Sequence, residues 1–426
     1  MLKNRFFFFV AFIAIIMILP NVAKAQTSLS SPYSRFGIGN TSIFNNAINN
    51  SMGGVGYTMK RNNHVNYLNP ASYSGVDTTS LVFDIGFYSE WMYLSTDKYK
   101  SKGNNTNLSH ILIGFPISKH IKMAAGIMPM SSVQYTTSQT ITDSLLGTHK
   151  TEYTGDGGLN KALIGLAYSP SNNLAIGTNI EYLFGNYYKA STISFPDSSY
   201  MYSTRKEQNY HINAFNVNFG IQYFHPLSNG DKLGIGAVYN LPMILPTDNI
   251  LKHYTFTTSA GLEYIKDSIQ ELSSNGKIKY PQSFGLGFSY ERPNRFYLAL
   301  DGNYTKWSEF LFQDNYPNSN LVDDLRISLG GEYRPNPYGN YLQKIAYRAG
   351  FTYDNGMLNV KDTRINQLGV SLGLGLPIKK SNTMINISLE YMKRGTIENG
   401  LIREDYLRLG ISFSAKDLWF FKRKYQ

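Results

Sequence analysis

The sequence contains no cysteine, which excludes disulfides, thiolate metal sites and a lipid-modified N-terminal cysteine. Charged residues are scarce at 16%, and the net charge of +11 falls to +8 once Lys3, Arg5 and Lys24 are set aside. Thinly spread positive charge leaves no basic stripe for nucleic acid, and attraction to anionic lipid headgroups is its plainer use. Beyond Leu19 no apolar run approaches the roughly 18 residues of a spanning helix, and mean hydropathy is only -0.27. The seven histidines are scattered, with no pair at metal-ligand spacing. There is no Walker lysine loop and no G-x-S-x-G, and Met59 stands where a nucleotide fingerprint after Gly54 and Gly56 needs its third glycine. The expectation is a chain that is no enzyme and carries no cofactor or metal.

What is present starts with an export signal. Lys3 and Arg5 precede an apolar run from Phe6 to Leu19 and then Ala23-Lys24-Ala25, a charged n-region, a short h-region and an A-x-A site. Cleavage is expected before Gln26, so residues 1–25 are a signal peptide. Tyr (33) and Phe (25) are abundant. The stretch 402–413 shows the pattern that organises the rest: Leu407, Leu409, Ile411 and Phe413 fall on one face of a period-two strand, and Tyr406, Arg408, Gly410 and Ser412 on the other. The alternation recurs with glycine inside the strands, where a packed core disfavours it. A closed transmembrane barrel, oily outside and uneven inside, accounts for both features.

From residue 79 roughly fourteen such segments follow, an even number as single-chain bacterial barrels require. They are centred on 81–94, 108–118, 120–135, 159–169, 174–185, 211–224, 232–240, 282–291, 295–307, 325–334, 344–353, 365–376, 384–394 and 403–413. Links after even segments are brief and mostly carry proline, as at Ser169-Pro170, His225-Pro226, Arg292-Pro293 and Pro335-Asn336-Pro337. Most links after odd segments are long: 136–158, 186–210, 241–281 and 308–324. Outer-membrane barrels have short periplasmic turns and long external loops. The reading is an all-β transmembrane antiparallel β-barrel of about 14 strands over 79–413, in the outer membrane of a Gram-negative bacterium, with outer-membrane lipids around it and both termini periplasmic.

An Arg at the midplane of the lipid face costs about 2 to 4 kcal/mol, so charged and amide side chains must face inward. That assigns Asp84, Glu90, Asn179, Glu181, Asp301, Asn303, Arg326, Glu332, Arg348, Asn386, Glu390 and Arg408 to the lumen. They serve either to hold a plug or to line a transport path. Residues 26–78 are too irregular for strands, yet Phe36, Ile38, Val55, Tyr67 and Leu68 need burial. They are expected to form an N-terminal hatch inside the lumen, where irregular backbone finds polar partners. One loop looks unusual: Leu241, Met243, Ile244 and Leu245 form an apolar cluster beside Pro242 and Pro246, either a landing site for hydrophobic solutes or a loop folded over the barrel mouth. Residues 414–426 form an aromatic and basic tail on the periplasmic side.

Ser51-Met52-Gly53-Gly54-Val55-Gly56, then Asn69-Pro70-Ala71 before the first strand, and Leu300-Asp301-Gly302-Asn303-Tyr304-Thr305-Lys306-Trp307 in the ninth segment give the chain its likeness to a known family. It resembles the FadL-type outer-membrane transporters of hydrophobic compounds, as a Bacteroidota-like member. The resemblance implies a fourteen-stranded barrel with an N-terminal hatch, Asn69, Pro70 and Ala71 as hatch motif together with Gly53 and Gly54, and facilitated diffusion of hydrophobic small molecules such as fatty acids, through a hatch rearrangement and a lateral opening in the wall. A branch of the superfamily serves protein secretion. The alternative it implies is a non-transporting outer-membrane partner in protein secretion or assembly, docking a periplasmic or secretion-system protein through the C-terminal tail.

Overall fold

The computed structural model describes residues 31–41, 46–143, 147–196, 200–259, 261–312, 316–317, 320–379, 381 and 383–419. Residues 1–25, expected to be a signal peptide, and the residues beyond Trp419 lie outside the described residues. The rest is a closed antiparallel barrel of fourteen strands: β1 (Ser80–Ser95), β2 (Lys100–Pro116), β3 (Ile121–Asp143), β4 (Gly147–Tyr168), β5 (Leu174–Ser194), β6 (Ser203–Pro226), β7 in two pieces (Lys232–Asn240 and Met243–Ser259), β8 in two pieces (Leu262–Tyr280 and Ser283–Arg292), β9 (Phe296–Thr305), β10 (Asp324–Tyr333), β11 (Ala346–Asp354), β12 (Gln367–Pro377), β13 (Met384–Arg394) and β14 (Arg403–Leu418). Each pairs with its neighbour, and β14 closes on β1 from Ser80↔Leu418 to Ser95↔Arg403. Closure removes the sheet edges that a bilayer cannot hydrate.

The face alternation is as expected. Ile164, Leu166, Ile180, Phe219, Leu286, Leu329, Leu372 and Ile411 are all exposed on the outer wall, whereas Asp84, Asn179, Ser371, Asn386 and Arg408 are buried inside. Three expectations are corrected. First, the regions 136–158 and 186–210 are largely strand: β3 to β6 run 21 to 24 residues each, well past the 9–11 residues a tilted strand needs to cross the bilayer. Second, the presumed loop after Asn240 is the upper half of β7 and β8. The lower part of β7 pairs with β6 from Pro226 to Asn218 and its upper part from Ile212 to Ser203, so Leu241-Pro242 is a break within one strand. Proline, lacking an N–H, makes such a break natural. Third, β14 continues to Leu418, where residues from 414 onward were expected to be a tail, and Lys416 forms an ion pair with Asp77.

The N-terminal segment expected to be the hatch makes short helical turns inside the barrel: Pro32–Arg35, Ala47–Asn50 and Pro70–Gly75. Its first turn lies high. Ser31 Oγ donates to Glu404 at 2.6 Å and Tyr33 Oη to the Ile402 carbonyl at 2.8 Å, both at the long-loop mouth, whereas Leu418 ends at the short-turn mouth beside Ser80. Ser31 is thus at the long-loop mouth and Leu418 at the short-turn mouth; the two termini, expected to be periplasmic, lie outside the described residues.

Candidate functional site: hatch, lumen and a seam in the wall

The inward polar side chains bind the hatch. Asp301 accepts the backbone N–H groups of Gly56 (2.7 Å) and Tyr57 (2.9 Å), and Asn303 donates to the Tyr57 hydroxyl at 3.0 Å. Asn179 accepts from the Tyr73 hydroxyl at 2.9 Å. Glu332 receives Arg61 of the hatch at 3.3 Å and Arg348 of the wall at 2.8 Å, and Arg348 also donates to Asn386 at 2.9 Å. Arg408 pairs with Glu90 and lies 3.7 Å from Glu390. Glu181 is held by Lys161 at 3.0 Å and by Asn216 and Asn218, each at 3.1 Å. Arg326 is paired with Asp354 at 2.9 Å. Buried charges persist only when partnered, and here the partners come from both wall and hatch. Because one Asp301 oxygen accepts two hatch N–H groups, Asp301→Ala should loosen the Gly56–Tyr57 turn by about 2 kcal/mol. Hydrogen exchange at those two amides checks it.

The residues expected to be the hatch motif are seated by hydrogen bonds and shape. Asn69 Oδ1 accepts from Ala71 N–H at 3.0 Å, while its amide donates to the carbonyls of Tyr57 (2.7 Å) and Ile221 (3.1 Å). Pro70 seats against wall positions that have no side chain: a Cβ on Gly177 would come within 2.4 Å of the Pro70 carbonyl carbon. Gly53 has φ +68°, in the left-handed region glycine tolerates, and its N–H reaches Ser371 Oγ at 2.9 Å. Gly54, φ +87°, follows in the same turn.

Some contacts were not legible. His64 and His110, treated as isolated, both reach Asp84, at 2.6 and 3.1 Å. They are fully buried, and no sequence spacing signals a meeting between hatch, β1 and β2. Glu404 was missed as the ligand of Ser31. The apolar set near Pro242 divides: Met243 and Leu245 are buried, and Ile244 is exposed at 60%. Met243 and Leu245 join Tyr33, Ile38, Tyr187, Tyr210, Trp307 and Phe310 in one cluster under the long-loop mouth. These two are therefore inward-facing residues of the upper β7 strand and not part of a loop.

Among the described residues, the wall is discontinuous between two neighbouring strands. β2 and β3 pair only between Ile111↔Ile127 and Pro116↔Lys122, although β2 stays paired to β1 as far as Lys100 and β3 to β4 as far as Asp143. With 9–11 residues per crossing, the seam opens partway up the apolar band. Pro129 lies at its root, next to a bulge against β4 between Pro129 and Ser131, as proline and bulges terminate pairing. A cavity of about 340 Å³ lies there, lined by Tyr88, Leu108, Ile127, Met128, Pro129 and the two glycines Gly157 and Gly158 together with the polar Asn107, Ser131, Ser132 and Asn160. Pro129 also lines a central lumen cavity of about 280 Å³, whose lining mixes Tyr57, Tyr67, Met130 and Trp307 with Lys161, Glu181, Asp301 and Arg326.

The BamG family model matches residues 1–426, the whole chain. The chain belongs to the BamG family. No curated protein matches it in sequence. In fold, this BamG-family barrel is similar to the CymD monoaromatic hydrocarbon channel (15% identity, TM-score 0.57, covering 88% of this chain and 98% of that one). It is also similar to a Pseudomonas aeruginosa FadL homologue (12%, 0.56, 88% and 98%) and to the Pseudomonas putida toluene transporter TodX (15%, 0.57, 88% and 99%). The BamG-family chain therefore has a FadL-like outer-membrane barrel fold.

Proposed function

We propose that this barrel lets a hydrophobic small molecule pass from the outside into the bilayer sideways, through the β2–β3 seam, without chemistry or energy coupling. The observation that carries the reading is the seam at membrane height, where β2 and β3 are not paired to each other and a cavity of mixed lining shares Pro129 with the lumen cavity. The axial route is blocked by the hatch, so the wall is the remaining exit. The mixed lining of the central cavity suits an amphiphile such as a fatty acid better than a bare hydrocarbon. In this reading the short-turn mouth faces the periplasm, as does the C-terminal end of β14.

The test uses the absence of cysteine. Leu108→Cys places a unique thiol at the seam, and attaching a bulky maleimide there should reduce solute transfer into liposomes at least about tenfold, a barrier change of about 1.4 kcal/mol. The unlabelled variant should keep its rate. Equal rates with and without the label, or rates equal to protein-free liposomes, sink the proposal.

A second reading is supported by the same hatch and by the family. The plug is bonded into the wall at every level from Ser31 to Tyr73, and the channels resemble this chain in fold alone. That favours a non-transporting outer-membrane partner in protein secretion or assembly, with the C-terminal end as a docking point for a periplasmic protein. It predicts a stable complex surviving mild detergent, and a labelled Leu108→Cys protein with unaltered function in that complex.

A further inference from the structure

Above the seam, β3 stands at the margin of the external sheet. Lower down, its open edge is capped from within: Ser132 exchanges backbone hydrogen bonds with Asn40 at 2.8 and 3.1 Å, and the Gln134 N–H and carbonyl both meet Ser34 Oγ at 3.1 Å. Backbone groups on one edge of a strand recur every second residue. The same edge therefore continues at Ser138, Thr140 and Thr142, which are exposed and, among the described residues, have no backbone partner besides β4. Ser138 lies about 17 residues from the start of β3, beyond the 9–11 that cross the bilayer, so this edge is in water.

Its composition is unusual for an open edge. Exposed edges are normally blunted with charge or proline. The facing edge of β2 carries Lys100 and Lys102, and the outer edge of the upper β8 carries Glu263, Lys266, Asp267, Glu271 and Lys277. Ser138-Gln139-Thr140-Ile141-Thr142 has neither charge nor proline, and Thr140, Ile141 and Thr142 are β-branched, which favours extended backbone.

We propose that this edge of β3 is a docking site for an extended polypeptide segment of another protein at the cell surface, bound by strand addition. Alternating N–H and C=O groups at ladder spacing are matched by a second backbone and by little else. Hydrocarbon has no donors or acceptors to offer. A second copy in the same membrane runs its β3 in the same direction, which prevents antiparallel matching of the two edges. The site is external and does not use the lumen, so its failure leaves both readings of the seam standing.

Photo-crosslinking amino acids at Ser138, Thr140 and Thr142, in cells carrying the full-length protein in its native outer membrane, test the site. The three should attach to one segment of one other protein, at attachment points stepping by about two residues in a constant direction, as strand pairing requires. Thr140→Pro, which removes the edge N–H, should lower adduct yield from Ser138 and Thr142 about tenfold, while Thr140→Val leaves it unchanged. Heat-dependent gel mobility verifies that each variant is a folded barrel. Adducts only to lipid, to a second copy, or at scattered positions, no adduct at all, or an undiminished yield with a folded Thr140→Pro barrel, overturn the proposal.

Discussion

Glu332→Ala is expected to be among the most damaging single side-chain deletions in the lumen. Glu332 lies between Arg61 of the hatch and Arg348 of the wall, with Arg334 3.8 Å away. The Arg348 side chain is only 2% exposed and that of Glu332 9%. Removing the carboxylate leaves one almost fully buried guanidinium and one partly buried guanidinium without their common anion, and such a break costs about 3–5 kcal/mol. The hatch should detach before the barrel unfolds, because the strands keep their own ladder of backbone bonds. Two measurements check this: protease cleavage within the hatch under conditions where the barrel resists, and single-channel conductance in planar bilayers, which should rise as the plug leaves. The double variant Arg61→Ala, Glu332→Ala should cost less than the sum of its parts, since the hatch no longer brings a guanidinium left with Glu291, at 3.6 Å, as its one carboxylate. A matched surface case supplies the contrast. Arg205 grips Glu263 with two bonds of 2.7 Å in the external sheet, yet Glu263 is 44% exposed. Glu263→Ala should change stability by no more than about 1 kcal/mol.

These two pairs also explain what the sequence can and cannot disclose. Period-two alternation is strong where one face meets lipid and the other does not, so β10, β12 and β14 are legible from Leu325, Leu368 and Leu407 onward. Above the membrane both faces of β3 to β6 and of the β7–β8 hairpin are wet or partly covered. Alternation fades there, and polar strands such as Thr136 to Asp143 read as loops. Inward charges are legible from cost alone, but their partners are not. Asp84 could be placed in the lumen; that His64 and His110 would both meet it depends on how the N-terminal segment packs against the β1–β2 hairpin. The seam was invisible for a related reason: Pro129 marks a weak point in β3, but only the pairing pattern shows that β2 is the strand it loses.

The glycines that first suggested an uneven lumen yield the second large prediction, through two adjacent residues of β10. A Cβ on Gly330 would lie 2.1 Å from the Met52 carbonyl oxygen, whereas on Gly331 its nearest neighbour would be the Tyr297 carbonyl at 3.3 Å and then the Leu298 side chain at 3.6 Å. The first contact is hatch backbone, which cannot rotate away as a side chain tip can; the second faces outward toward lipid, where wall atoms need shift only slightly. Opposite Gly330 on β11, Gly350 is equally close to Met52 and Gly53, at 2.1 Å. The wall is bare backbone on this side because the hatch turn at Met52 and Gly53 occupies the space that side chains would fill. Gly330→Val should therefore push the turn inward, breaking the Gly53 bond to Ser371 and costing about 3 kcal/mol or more, the upper range for overpacking. Gly331→Val should be almost neutral, as a β-branched residue on a lipid-facing strand. Thermal unfolding in detergent and protease access to the hatch should separate the two variants. Equal behaviour would mean that the lumen is loosely filled with water, and that the strand glycines owe nothing to the plug.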